Sequence, residues 1–156
     1  MSLPDPPVLF VTDRRMSGRP LADVVAAALD GGCKWVMLRE KDLETDSLRV
    51  LALEIEALAR AMGAALVVNG NAEIAKSVGA AGVHLPGGQS VARARASLGA
   101  EAMIGASCHS AAELELAEGD GADYATLSPF ALTESKPGYG PALGPDGFRQ
   151  SVRGRV

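Results

Sequence analysis

The stretch Trp35-Val36-Met37-Leu38-Arg39-Glu40-Lys41 is an apolar run that ends abruptly on two cations flanking a carboxylate. Four consecutive apolar side chains leave no polar face, so a strand built from them is covered on both sides, as the strands of parallel sheets are. Working outward, runs of the same kind recur at 8–12, 65–69, 82–85, 103–107 and 124–127. The segments between them have helical period: Leu21, Val24, Val25, Ala28 and Leu29 form one stripe, and Leu48, Leu51, Ile55, Leu58 and Met62 another. Their ends are marked by Pro20 at a first helical position, by Gly31 and Gly63 just past the last turns, and by Ser110 with Glu113 as a capping box. Six βα units in succession predict a parallel sheet. Val78-Gly79-Ala80-Ala81-Gly82-Val83 and Asp120-Gly121-Ala122-Asp123-Tyr124 form a weak internal repeat, each leaving a helix through Gly and re-entering a strand.

Parallel strands with crossover helices form either an open doubly wound sheet or a closed barrel. The first needs a glycine-rich turn after its first strand, and Thr12-Asp13-Arg14-Arg15-Met16-Ser17-Gly18 does not supply one. Polar residues instead gather at one end of successive strands: Asp13, then Arg39 and Lys41, Asn69, His84, Ser107 and His109, and the segment 133–136. In a (β/α)8 barrel those ends converge on the face that carries the active site. The fold expectation is therefore α/β, a TIM-barrel type with about six βα units present.

With 156 residues, 47% hydrophobic and 22% charged, the chain fits one globular domain with a sizeable core. A formal charge of −4 and the lack of a basic run argue against a nucleic-acid partner. The start of the chain lacks the pattern of a secretory signal, and no apolar run would cross a bilayer, so the expected location is the cytoplasm and no membrane partner is expected. Cys33 and Cys108 lack metal-ligand spacing; Cys108 reads as a small buried thiol rather than a nucleophile.

Four segments carry a resemblance: Val36-Met37-Leu38-Arg39-Glu40-Lys41, Gly82-Val83-His84-Leu85, residues 104–110 (Ile-Gly-Ala-Ser-Cys-His-Ser) and residues 128–138 (Ser-Pro-Phe-Ala-Leu-Thr-Glu-Ser-Lys-Pro-Gly). In this order and spacing they resemble the thiamine phosphate synthase/TenI superfamily, from about residue 9 to about residue 148. The resemblance implies a transferase that joins an aminopyrimidine pyrophosphate to a thiazole phosphate in thiamine biosynthesis, or a thiazole tautomerase. By motif position it implies that Arg39 and Lys41 hold pyrophosphate, and that Asn69 and Ser107 contact the pyrimidine or its phosphates. Thr133 and Ser135 would take the thiazole phosphate and Lys136 the leaving group. Arg offers a planar fork to phosphate oxygens and Lys a mobile point charge.

Some residues read two ways. Arg39 with Lys41 is either a phosphate clamp or an exposed charge cluster. His84 and His109 are each either structural or ligand contacts, and the segment 133–138 is either a phosphate loop or a plain one.

The chain also departs from the synthase pattern. That pattern places an Asp directly after the Asn ending strand three and another shortly after Gly-Val-His-Leu, the pair that holds magnesium; here stand Gly70 and Gly87-Gly88-Gln89-Ser90. Magnesium prefers carboxylate oxygens, so Mg2+ is expected for synthase activity but its ligands are missing, and charge on a departing pyrophosphate would rest on Arg39 and Lys136. Met37 stands where the second-strand motif usually has Gln. A tautomerase needs an acid or base and no metal; its catalytic histidine is expected in the loop after strand six, where this chain has Pro129, leaving His84 or His109 as substitutes. Since the chain stops at Val156, the expectation is a single domain lacking the last two βα units, its open edges covered by self-association, or a fragment. A non-catalytic ligand-sensing module is the alternative from another class. Another phosphate-handling barrel would leave residues 128–138 unexplained.

Overall fold

In the computed structural model, which describes residues 3–132 and 141–154, strand and helix alternate six times. The strands are β1 (Leu9–Val11), β2 (Trp35–Leu38), β3 (Ala65–Asn69), β4 (Gly82–Leu85), β5 (Met103–Cys108) and β6 (Tyr124–Leu127). The helices are α1 (Leu21–Asp30), α2 (Thr45–Ala61), α3 (Ala72–Val78), α4 (Val91–Leu98), α5 (Ala111–Gly119) and α6 (Gly144–Val152). All five strand pairings are parallel and the spatial order is β1-β2-β3-β4-β5-β6, the order of the chain. A doubly wound sheet reverses direction at a switch point; this one never does. Right-handed crossovers that always step the same way put every helix on one face, so the sheet curls around the other as a barrel wall does.

Alternation along each strand then sorts the apolar side chains into two cores. Val36, Leu38, Leu66, Val68, Val83, Leu85, Ile104 and Ala106 face the helices and pack with Val25, Leu29, Ile55, Ile74 and Leu114. The opposite phase, Trp35, Met37, Val67 and Met103, packs with Leu9, Ala65 and Tyr124 inside the curl. Here every apolar run in the inner strands is buried on both faces, which is why β2 and β4 are covered along their whole length. Cys108 belongs to the helix-facing core, where burial first and Glu113 second push its thiol pKa up, so it is the inert small hydrophobe that its neighbours suggested.

Two inner positions must be glycine. A Cβ on Gly105 would lie 2.1 Å from Cζ of Tyr124, whose ring covers that residue, and one on Gly82 would lie 1.7 Å from the Met103 carbonyl oxygen. Tyr124 reaches across the interior to meet the Trp35 ring edge-on at 4.6 Å.

Some local signals shift by one residue. Pro20 caps α1 rather than opening it, its carbonyl accepting the Asp23 and Val24 amides. Ser110 accepts the Glu113 amide at 3.2 Å as predicted, but the Glu113 carboxylate reaches back to the His109 amide at 2.8 Å instead of to Ser110. β2 ends at Leu38 because the Arg39 amide turns out of the ladder to the Thr12 hydroxyl, 3.0 Å away.

Candidate anion-binding site at the strand ends

At the C-terminal end of the sheet lies a hollow of about 220 Å³. Into it come Arg39 and Lys41 after β2, Asn69 at the end of β3, His84 from β4, and Ser107 and His109 at the end of β5. Six of the nine residues predicted from the sequence thus meet in one place. The other three, Thr133, Ser135 and Lys136, lie outside the described residues.

The hollow's described lining holds two permanent cations and no carboxylate. Arg14, Arg15, Arg95 and Arg149 each form an ion pair, whereas among the described residues Arg39 and Lys41 form none. An unpaired cation pair in a concavity attracts an anion, and Arg presents it with a fork of donors. Asn69 adds an amide to the same wall.

A buried network that the sequence reading missed positions Arg39. Thr12, at the end of β1, donates its hydroxyl to Glu40 at 2.7 Å while accepting the Arg39 amide. Glu40, buried with only 4% exposure, also receives the Arg14 amide at 3.1 Å and the Arg14 guanidinium at 3.3 Å. The same guanidinium grips Asp42 through two bonds of 2.7 and 2.8 Å, and this neighbour lowers the Asp42 carboxyl to a pKa of about 2. Glu40 and Asp42 therefore both take Arg14 as their ion-pair partner on the outer side, and neither pairs with Arg39 or Lys41 among the described residues. The signal was present in the alternation of charges at 39–42, but nothing local tells which cation pairs with which carboxylate.

His84 sits at the floor, 3% exposed. Burial lowers its pKa to about 4, so its imidazole is neutral at physiological pH. Its Nδ1 lies 3.1 Å from the Tyr124 hydroxyl and its Nε2 2.9 Å from Ser107 Oγ, with Thr126 Oγ1 at 3.5 Å. His84 is thus a satisfied structural residue, and one of its partners is a hydroxyl that lines the hollow. His109 directs Nδ1 at the Ser128 carbonyl, 2.8 Å away; a carbonyl only accepts, so Nδ1 carries a proton.

The resemblance implies magnesium, so the donor set bears on whether the protein could hold it. Gly70 occupies a left-handed turn with φ +73°, and Gly87, Gly88, Gln89 and Ser90 form the other expected segment. Among the described residues no three His, Cys, Asp or Glu side chains converge as metal ligands. Neither expected segment supplies a carboxylate, the ligand magnesium usually takes from the protein alongside substrate phosphates, so these residues do not fit a protein-held magnesium ion. No helix among the described residues is long and apolar enough to cross a membrane.

Comparison with known proteins agrees with this geometry. The family described as thiamine monophosphate synthase (TMP-TENI) matches residues 8–154. The chain is 42% identical over 139 residues to a putative thiamine-phosphate synthase of Geobacter sulfurreducens, covering 88% of this chain and 65% of that protein. It is also 42% identical over 138 residues to the thiamine biosynthesis bifunctional protein ThiM/ThiE of Symbiobacterium thermophilum, covering 86% of this chain and 28% of that one. It therefore spans less than two thirds of either relative. Thiamine phosphate pyrophosphorylase from Pyrococcus furiosus superposes with a TM-score of 0.80 at 28% identity, over 94% of this chain and 69% of that structure. With the barrel-type sheet and the residues at its strand ends, this establishes that the chain belongs to the thiamine monophosphate synthase family.

Proposed function

We propose that the protein binds phosphorylated thiazole or aminopyrimidine intermediates of thiamine biosynthesis at the strand-end hollow. The observation that carries this reading is the pairing of Arg39 and Lys41, free of described ion-pair partners, in a concavity whose described lining has no carboxylate. Arg39 and Lys41 hold the phosphate groups, Asn69 and Ser107 contact the pyrimidine or its phosphates, and Thr133, Ser135 and Lys136 complete the anion site. For synthase chemistry, charge building on a departing pyrophosphate is offset by these side chains, since Gly70 and the segment 87–90 supply no carboxylate for a metal. The partner is a small phosphorylated molecule in the cytoplasm.

A second reading is proton transfer on a carboxythiazole phosphate, for which His109 in the lining of the hollow is the candidate acid or base, because such a shuttle requires no metal. Calorimetric titration with thiazole phosphate and with aminopyrimidine pyrophosphate, each with and without magnesium, tests the first reading. Micromolar binding supports it, whereas no heat with either ligand supports a chain that has lost the site. Isomerisation of carboxythiazole phosphate without metal would favour the second.

A further inference from the structure

The geometry points to Tyr124 as a positioning residue: acting through His84, it turns the Ser107 hydroxyl into a donor aimed at a phosphate oxygen of the ligand. This rests on the phosphate reading of the hollow and adds to it a direction for one hydrogen bond. The three side chains come from three adjacent strands, β6, β4 and β5, and are linked at 3.1 Å (Tyr124 hydroxyl to His84 Nδ1) and 2.9 Å (His84 Nε2 to Ser107 Oγ).

The polarity of this chain follows from where each proton can go. Burial, and then the nearby Asp123, raise the Tyr124 pKa, so the phenol keeps its hydrogen. Its one acceptor among the described residues is His84 Nδ1. A neutral imidazole that accepts at Nδ1 carries its single proton on Nε2. That N–H donates to Ser107 Oγ, the nearer of its two hydroxyl neighbours, Thr126 being at 3.5 Å. With its oxygen accepting from His84 and no other described partner, Ser107 has its own hydrogen left for the hollow it lines with Arg39 and Lys41. A hydroxyl held in this sense favours an acceptor, such as a phosphate oxygen, over a donor.

Tyr124 is itself fixed. Its ring lies over Gly105, where any Cβ would collide, and against the edge of Trp35. The direction of a hydrogen bond at the mouth is thereby set from inside the curl. His109 offers a contrast, because its carbonyl partner demands the opposite tautomer.

The test begins with the ring-nitrogen spectrum of ligand-free, nitrogen-15-labelled protein, with His84 assigned by comparison with His109→Gln. The expected result is a protonated Nε2 and a bare Nδ1 on His84; a protonated Nδ1 in the wild type overturns the inference, whether or not any variant folds. Inorganic pyrophosphate is then titrated into Tyr124→Phe, Ser107→Ala and the double variant. Tyr124→Phe should weaken binding about fivefold, the scale of one neutral hydrogen bond, and should add nothing in the Ser107→Ala background. Unchanged affinity in Tyr124→Phe, or an equal loss in both backgrounds, overturns it as well. If wild type binds no pyrophosphate, the phosphate reading of the site fails, and the tautomer result still decides the relay.

Discussion

The buried carboxylate of Glu40 accepts the Thr12 hydroxyl at 2.7 Å, and the oxygen of that hydroxyl accepts the Arg39 amide at 3.0 Å. The first strand end is thus clamped to the second through one carboxylate, and the backbone that launches Arg39 into the hollow depends on a residue that never faces it. Glu40 takes in three donor groups at once, so removing it strands the Thr12 hydroxyl and the Arg14 amide, while the Arg14 guanidinium keeps Asp42. Glu40→Ala should destabilise the protein by about 2–4 kcal/mol, as unpaired buried donors do, measured by the midpoint of urea unfolding. Asp42→Asn should change stability by less than about 1 kcal/mol, because that pair is exposed and screened. Equal effects of the two would show that the clamp is not centred on Glu40.

His84 makes stability depend on pH. Its folded pKa of about 4 lies below the ordinary value of 6.5 because burial disfavours the imidazolium. Between those values the unfolded chain binds the extra proton and the folded one does not, so stability is full above pH 6.5 and falls as pH drops toward 4. The contribution lost over that window is on the order of 3 kcal/mol. Melting temperatures from pH 7.5 to 4 should show a decline that shrinks in His84→Gln; an identical slope in that variant would assign the decline to other groups.

Gly105 is held by contact rather than by backbone conformation. Its Cβ position is occupied by the Tyr124 ring, so Gly105→Ala must displace that ring and the hydroxyl bonded to His84. The expected cost is about 1–3 kcal/mol from overpacking. In the Tyr124→Ala background the same substitution should cost much less, and a double-mutant cycle on unfolding free energies reads the difference. Additive effects would mean that the two residues do not meet.

At the opposite end of the sheet, Arg95 joins α4 to the starts of β5 and β6. It donates to the Ala100, Ala102 and Gly121 carbonyls and pairs with Asp123 at 2.8 Å, while Asp123 accepts the Ile104 amide at 2.7 Å. Arg95→Ala should lower stability by about 2–3 kcal/mol through these lost charge-assisted bonds. Pyrophosphate affinity, by contrast, should be unchanged, since the residue lies away from the mouth. A matching loss of affinity in folded protein would contradict that separation.

The fold was legible because its signals are local and repeated. Trp35 through Leu38 leave no polar face, the stripes on α1 and α2 are single, and the strand-end residues recur six times, so period alone identifies βα units and their polar ends. Arg39, Lys41, Asn69, His84, Ser107 and His109 meet in one hollow for the same reason: a residue at the end of a barrel strand faces the mouth. What stayed hidden depends on pairing across strands. That Arg14 rather than Arg39 pairs with Glu40 and Asp42 follows from the β1–β2 register, which charge order does not encode. Tyr124 reads as an ordinary strand aromatic until Gly105 and His84 are seen beside it. The one-residue shifts, of Pro20 from first helical position to cap and of the Glu113 carboxylate from the Ser110 to the His109 amide, are the usual uncertainty of helix ends.

The most direct measurement is a calorimetric titration of inorganic pyrophosphate into wild type, Arg39→Ala and Lys41→Ala in magnesium-free buffer. Binding by wild type that weakens at least tenfold in Arg39→Ala, and also in Lys41→Ala, is the predicted result, each loss corresponding to about 1.4 kcal/mol or more. Binding that is indifferent to both substitutions, or no binding by folded wild type, would contradict an anion site at the strand ends.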